Sequence, residues 1–168
     1  MPIFSMVFAY YKRLTASQKR AYDKSDGVTS VRIPNVSELH PLVNALETAL
    51  KKEDRKETEI LSQKLISALT ARLKVPALRV KVLAVRPHNS RGELHGLYNP
   101  STGQLPAIMV WMRTAKQRRV VAFRTFLRTL LHEICHHLDY EHFRFSYSFH
   151  TEGFYKRESS LFHQLVDK

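Results

Sequence analysis

The 168-residue chain has a single cysteine, Cys135, which rules out an intramolecular disulfide and a cysteine-rich zinc finger. A lone thiol suits a reducing cytosol, and cytoplasm is the expected location. Long hydrophobic runs are missing too. The apolar stretch within MPIFSMVFAYYKR falls well short of the roughly 20 residues that span a bilayer. It runs apolar first and basic afterwards, the reverse of a secretory signal, and has no small-residue cleavage site. No membrane span and no targeting segment are therefore expected. Acidic side chains are scarce: 15 Asp and Glu stand against 27 Lys and Arg, a net charge of +12. Such a balance favours anionic partners, nucleic acid among them, although no single run of charge dominates. What remains is ample for a core. Hydrophobic residues make up 43%, which argues against global disorder, and the length is that of about one domain.

Residues 1–35 read as an N-terminal extension or arm, followed by a domain over residues 36–168. Phe4, Phe8, Tyr11 and Leu14 recur at spacings of three or four, as one apolar helical face would require. The stretch from Asp23 to Pro34, with SDG and IPN, reads as a linker or irregular segment, and packing of the arm on the domain is favoured over binding to a partner or membrane surface. From Ser37 to Leu73 the pattern is helical, in two stripes separated by KKEDRKE, which is either an exposed helical turn or a break. Pro76 closes the region. Strand-like runs follow at Leu78–Val85, within RGELHGLYNPSTGQLP, and at Ile108–Met112. Thr114 and Gln117 have the spacing of a capping box, which predicts the start of a long helix. Its apolar stripe runs through Val120, Phe123, Leu127, Leu130, Ile134 and Leu138. The expected class is α+β: N-terminal helices, a small mostly antiparallel sheet, then an active-site helix and a C-terminal helix.

Residues 132–136 read HEICH, a His-Glu-x-x-His pattern. Residues four apart share a helical face, so His132 and His136 can present two imidazole nitrogens to one zinc ion. Glu133, beside the first ligand, is placed to take a proton from a metal-activated water. Chance placement yields roughly 0.03 such matches in a chain with nine histidines, and here the motif falls inside the strongest predicted helix. Its apolar stripe lies on the opposite side of the helical wheel from the two histidines, so one face can pack while the other lines a cleft. A catalytic site needs a third protein ligand. His150 leads, because the segment between it and His136 is long enough to leave the helix and return. Asp139, Glu152 and Glu158 are the alternatives, with Asp139 also suited to orienting a ligand histidine.

HEICHH followed by HTEGFYKR resembles the SprT-like and WLM-type zinc metallopeptidases, which are zincins. In these, an HExxH helix is followed by a histidine in an H-x-x-x-F pattern, here His150 to Phe154. The resemblance covers roughly residues 37–165, and its specific part is the two short motifs. It implies a zincin-like fold, one Zn2+ per chain on His132, His136 and His150, and Glu133 as general base acting on a peptide or protein substrate. With only Cys135, the chain carries no cysteine-based zinc ribbon such as SprT-like proteases often have.

Other residues carry weaker expectations. Ile108–Met112 is a candidate for the strand that pairs with substrate backbone. His137 points away from the metal face, toward a surface or hydrogen-bonding role; Cys135 is expected in the core. Tyr98, Tyr147 and Tyr155 are candidate oxyanion donors, and Arg157 a candidate partner for a carboxylate or a substrate. Arg113, Lys116, Arg118, Arg119, Arg124 and Arg128 crowd the predicted start of the active-site helix, where cations oppose the macrodipole. They favour the rival reading: a non-catalytic, zinc-bound module that is regulatory or associates with nucleic acid.

Overall fold

The computed structural model describes residues 7–100 and 103–166, so Phe4 and part of the expected turn after Pro100 lie outside the described residues. The N-terminal helix does not form where the Phe8, Tyr11 and Leu14 spacing predicts it. That stretch makes only a tight turn, Ala9–Arg13, and the helix proper is α1 (Ala16–Asp26). The reason is local: Thr15 and Gln18 close a reciprocal capping box at its start. Residues 28–34 are irregular and pack on the domain, as expected. Gln164 both accepts from Ile33 N (2.9 Å) and donates to Val31 O (2.7 Å), and both residues are buried.

The predicted helical stretch divides into α2 (His40–Lys51) and α3 (Arg55–Leu73). Within KKEDRKE, Glu53 takes a left-handed conformation (φ 59°) and Asp54 caps α3 by accepting from Glu57 N, so the charged insert is a break. Five strands follow: β1 (Arg79–Val85), the short pair β2 (His88–Asn89) and β3 (Gly92–Glu93), β4 (Gly96–Asn99) and β5 (Ala107–Arg113). The main sheet has the order β1-β5-β4. β4 runs antiparallel to β5, as β2 does to β3, whereas β1 runs parallel to β5. The architecture is α+β, and among the described residues two of the three strand pairings are antiparallel.

Thr114 does not open the next helix. Its backbone N–H donates to Arg119 O and its hydroxyl accepts from Arg119 N, closing a loop in which Arg118 sits at φ 52°. The helix α4 (Phe123–Glu141) starts only after Val121 N has returned to Met112 O. A capping-box pattern and this loop ask for similar residues, and the short bridge between Arg113 and Val120 decides for the loop. The chain ends in α5 (Glu152–Val166).

The helices pack on one face of the sheet. Leu65 and Leu69 from α3, Leu127, Leu130 and Ile134 from α4, and Phe162 from α5 meet Val82, Ile108 and Val110 in one core. Cys135 is in that core, as its size and polarity predict. Among the described residues, no helix is long and apolar enough to cross a membrane.

Candidate metal centre

The apolar stripe of α4 sits in the core and leaves His132 and His136 on the opposite side, half-exposed in a cleft of about 730 Å³. The chain then returns to that cleft. α4 ends at Glu141, Arg144 adopts φ 59° to reverse direction, and His150 arrives just before α5. Thr151 fixes this arrival by capping α5: its hydroxyl accepts from Phe154 N at 2.9 Å. His150 Nε2 consequently lies 3.1 Å from His132 Nε2 and 3.0 Å from His136 Nε2. The three rings rest on one buried aromatic floor, Phe154, at centroid distances of 4.9, 4.8 and 5.1 Å.

The far side of two of the rings is braced by hydrogen bonds. Glu158 Oε1 lies 2.8 Å from His132 Nδ1 and as a carboxylate accepts from Nδ1–H, the arrangement that turns Nε2 toward the cleft. Ser148 stands 2.7 Å from His136 Nδ1 and gives its own proton to Asp139 Oδ2 at 2.7 Å. The His136 Nδ1–H therefore donates to Ser148, and its Nε2 also turns toward the cleft. Burial, reinforced by the neighbouring His132 and His150, pushes the His136 imidazole down to about 3, so it is neutral at physiological pH.

These donors fit a metal ion. His132, His136 and His150 each present a ring nitrogen within 4.8 Å of the others. Tetrahedral zinc with bonds of ~2.0–2.1 Å separates its ligands by about 3.3 Å, close to the two spacings seen here. The ring nitrogens of His132 and His136 face His150 Nε2 at a range that either a shared ring proton or a bound cation satisfies. No protein-family model, characterised protein or solved structure matches the chain. The centre has to be read from its own chemistry.

The three alternative third ligands have other places. Asp139 is fully buried and holds Ser148 and, at 3.0 Å, the guanidinium of Arg157. Glu158 braces His132, and Glu152 pairs with Lys156 on the first turn of α5. Glu133 lines the cleft and is only 7% exposed. Burial raises its carboxyl to about 7, with His132 opposing and Glu158 adding to the rise; a bound dication would draw it down.

His137 is not at the surface. It is fully buried, its Nε2–H donates to Pro76 O, and its Nδ1 accepts from the Tyr98 hydroxyl at 2.8 Å. Tyr98 therefore lines the cleft with its hydroxyl already committed, while Tyr147 and Tyr155 are exposed, Tyr155 with its ring centroid 6.1 Å from that of His132 and 5.8 Å from that of His150. The basic cluster is divided. Arg113 pairs with Glu53, and Arg124 and Arg128 lie over the Phe162 ring, while Lys116, Arg118 and Arg119 are exposed on the loop before α4.

β5 is not a free strand. It is the centre of the sheet, bonded by β1 on one side and β4 on the other. The outer edge of β1 is occupied by α3 side chains: Val80 N donates to Gln63, Val82 N to Glu59, and Arg55 donates to Val82 O. Among the described residues no strand pairs with the outer edge of β4, and β4 borders the histidines. It comes close because residue 96 is glycine. A Cβ there would stand 2.7 Å from Thr129 Cγ2 and 3.0 Å from Glu133 Oε1. Sequence reasoning passed over Ser148 and Gly96. Only the spacing of Phe154 and Glu158, four residues apart on one face of α5, offered a signal for the support around the ligands.

Proposed function

We propose that the protein is a zinc-dependent metallopeptidase of the zincin type, with His132, His136 and His150 as ligands and Glu133 as general base. The observation that carries this reading is the convergence of three imidazole nitrogens beside a desolvated carboxylate in an open cleft. Zinc held there would polarise a substrate carbonyl and lower the pKa of a bound water toward ~7. The chain's own residues do the rest. Glu133 takes the proton from the attacking water and passes it to the departing amine, so that the carbonyl carbon gains an oxygen and the C–N bond breaks. Glu158 and the Ser148–Asp139 pair hold the two helix imidazoles in the tautomer that keeps Nε2 free.

The free edge of β4 supports a peptide rather than another amide as substrate, because an extended chain can pair with it by strand addition. Substrates N-methylated at backbone positions away from the scissile bond are then turned over several-fold more slowly; equal rates would remove β4 from the account. The reaction class is tested with a mixture of proteome-derived peptides incubated with the native chain and with Glu133→Gln. Cleavage by the native chain alone supports the proposal, and identical peptide profiles refute it.

A second reading, a nucleic-acid-associated or regulatory module, draws on the net charge of +12 and the exposed Lys116, Arg118 and Arg119. Binding of that kind weakens steeply with added salt. Salt-insensitive binding, or none, removes it.

A further inference from the structure

The third histidine is held by a part of the chain far from it in sequence. The Tyr10 hydroxyl donates to the backbone carbonyl of His150 at 2.9 Å. The Tyr10 ring is wedged between Tyr22 of α1 (centroids 5.7 Å) and Phe149 (6.2 Å), so the hydroxyl is aimed by packing on both sides. Further along, Ser25 and Thr151 share a hydroxyl hydrogen bond of 3.0 Å, and Gly153 N donates to Asp26 Oδ1. The fit at Gly153 is tight enough that a Cβ would meet Ser25 O at 2.4 Å. The end of α1 thus holds Thr151, which follows His150 directly, and Gly153 two residues further on.

We propose that Tyr10 is a positioning residue for the metal centre, fixing through the His150 carbonyl the loop that delivers the third imidazole. Docking of the N-terminal segment and metal binding are then one coupled event. The inference rests on the metal reading above and adds to it a role for a segment outside both sequence motifs. His132 and His136 are fixed by α4, a rigid element braced by Glu158 and Ser148. His150 stands in a loop, so its ring is placed only as well as its backbone is. A metal ion takes its third donor at full strength only if that backbone is already in place.

Tyr10→Phe keeps the ring and its packing and removes only the donor. The experiment uses the full chain and Co2+ as a spectroscopic probe for the zinc site, with affinity measured by competition against a chelating dye. Tyr10→Phe is expected to bind Co2+ and Zn2+ about tenfold more weakly than wild type. Its visible Co2+ bands should shift or lose intensity, while the metal-free unfolding temperature stays put. In a His150→Ala background, where no third imidazole is left to position, adding Tyr10→Phe should change neither affinity nor spectrum. Unchanged affinity in the single variant overturns the proposal, and so does an equal loss in both backgrounds, which would mark Tyr10 as generally structural. A wild-type chain that takes up no Co2+ fails differently: it removes the metal reading itself.

Discussion

Arg157 and Asp139 form an ion pair at 3.0 Å in which both side chains are almost completely removed from water. Arg157 also donates to the Ser25 and Val28 carbonyls at 2.6 Å, and Asp139 accepts from Ser148, which in turn supports His136. One guanidinium therefore ties α1, α4 and α5 together behind the histidine cluster. Replacing it leaves a buried carboxylate without its partner, which typically costs about 3–5 kcal/mol. Arg157→Met should lower the unfolding temperature of the metal-free chain by roughly 10 °C, as thermal denaturation will record. A shift of a degree or two would mean that the pair is dispensable.

Glu133 gives a pH dependence whose sign is set by its burial. Its carboxyl rises from its usual 4.5 to about 7 in the folded, metal-free chain, so the native state holds the proton more tightly than the unfolded one. The associated stability is full below about pH 4.5 and is lost as the pH climbs through about 7. Denaturant unfolding in chelator at pH 5 and pH 8 should therefore show a larger loss for wild type than for Glu133→Gln. Equal losses would place the carboxylate in a wetter setting than the cleft provides. In the metal-loaded chain the same variant should keep its zinc and lose turnover by several orders of magnitude.

At Gly96, β4 lies close against Thr129 and Glu133 of α4. Adding a methyl group forces Thr129 to move, since its Cγ2 would stand 2.7 Å from the new Cβ, and presses Glu133 Oε1 at 3.0 Å to give by a few tenths of an ångström. Gly96→Ala is expected to cost about 1–3 kcal/mol in stability. It should reduce kcat by about tenfold or more while zinc content stays at the wild-type level. Kinetics alongside metal analysis check this, and loss of metal together with activity would point to a broader collapse.

The two motifs were legible because each is written in one short element with a fixed periodicity. The four-residue step from His132 to His136 defines a helix face, and His150 is followed directly by its own cap, Thr151, and its aromatic floor, Phe154. The general α+β layout was legible from the same periodicities. What escaped was decided between distant segments. Thr114 reads as a cap, but its pairing with Arg119 across a loop wins. Ile108–Met112 reads as a buried strand, correctly, but only the register with β1 and β4 makes it the centre of the sheet rather than its edge. Tyr10 and Ser25 have no sequence signal at all, since their partners His150, Thr151 and Arg157 lie more than 120 residues away.

Metal analysis of the purified full chain, after exhaustive dialysis, bears most directly on the central claim that three imidazoles hold one ion. The account predicts about one zinc per wild-type chain and loss of it in His132→Ala and His136→Ala. His150→Ala should hold zinc only weakly. Wild-type protein without bound metal, or zinc that survives all three substitutions, would contradict it.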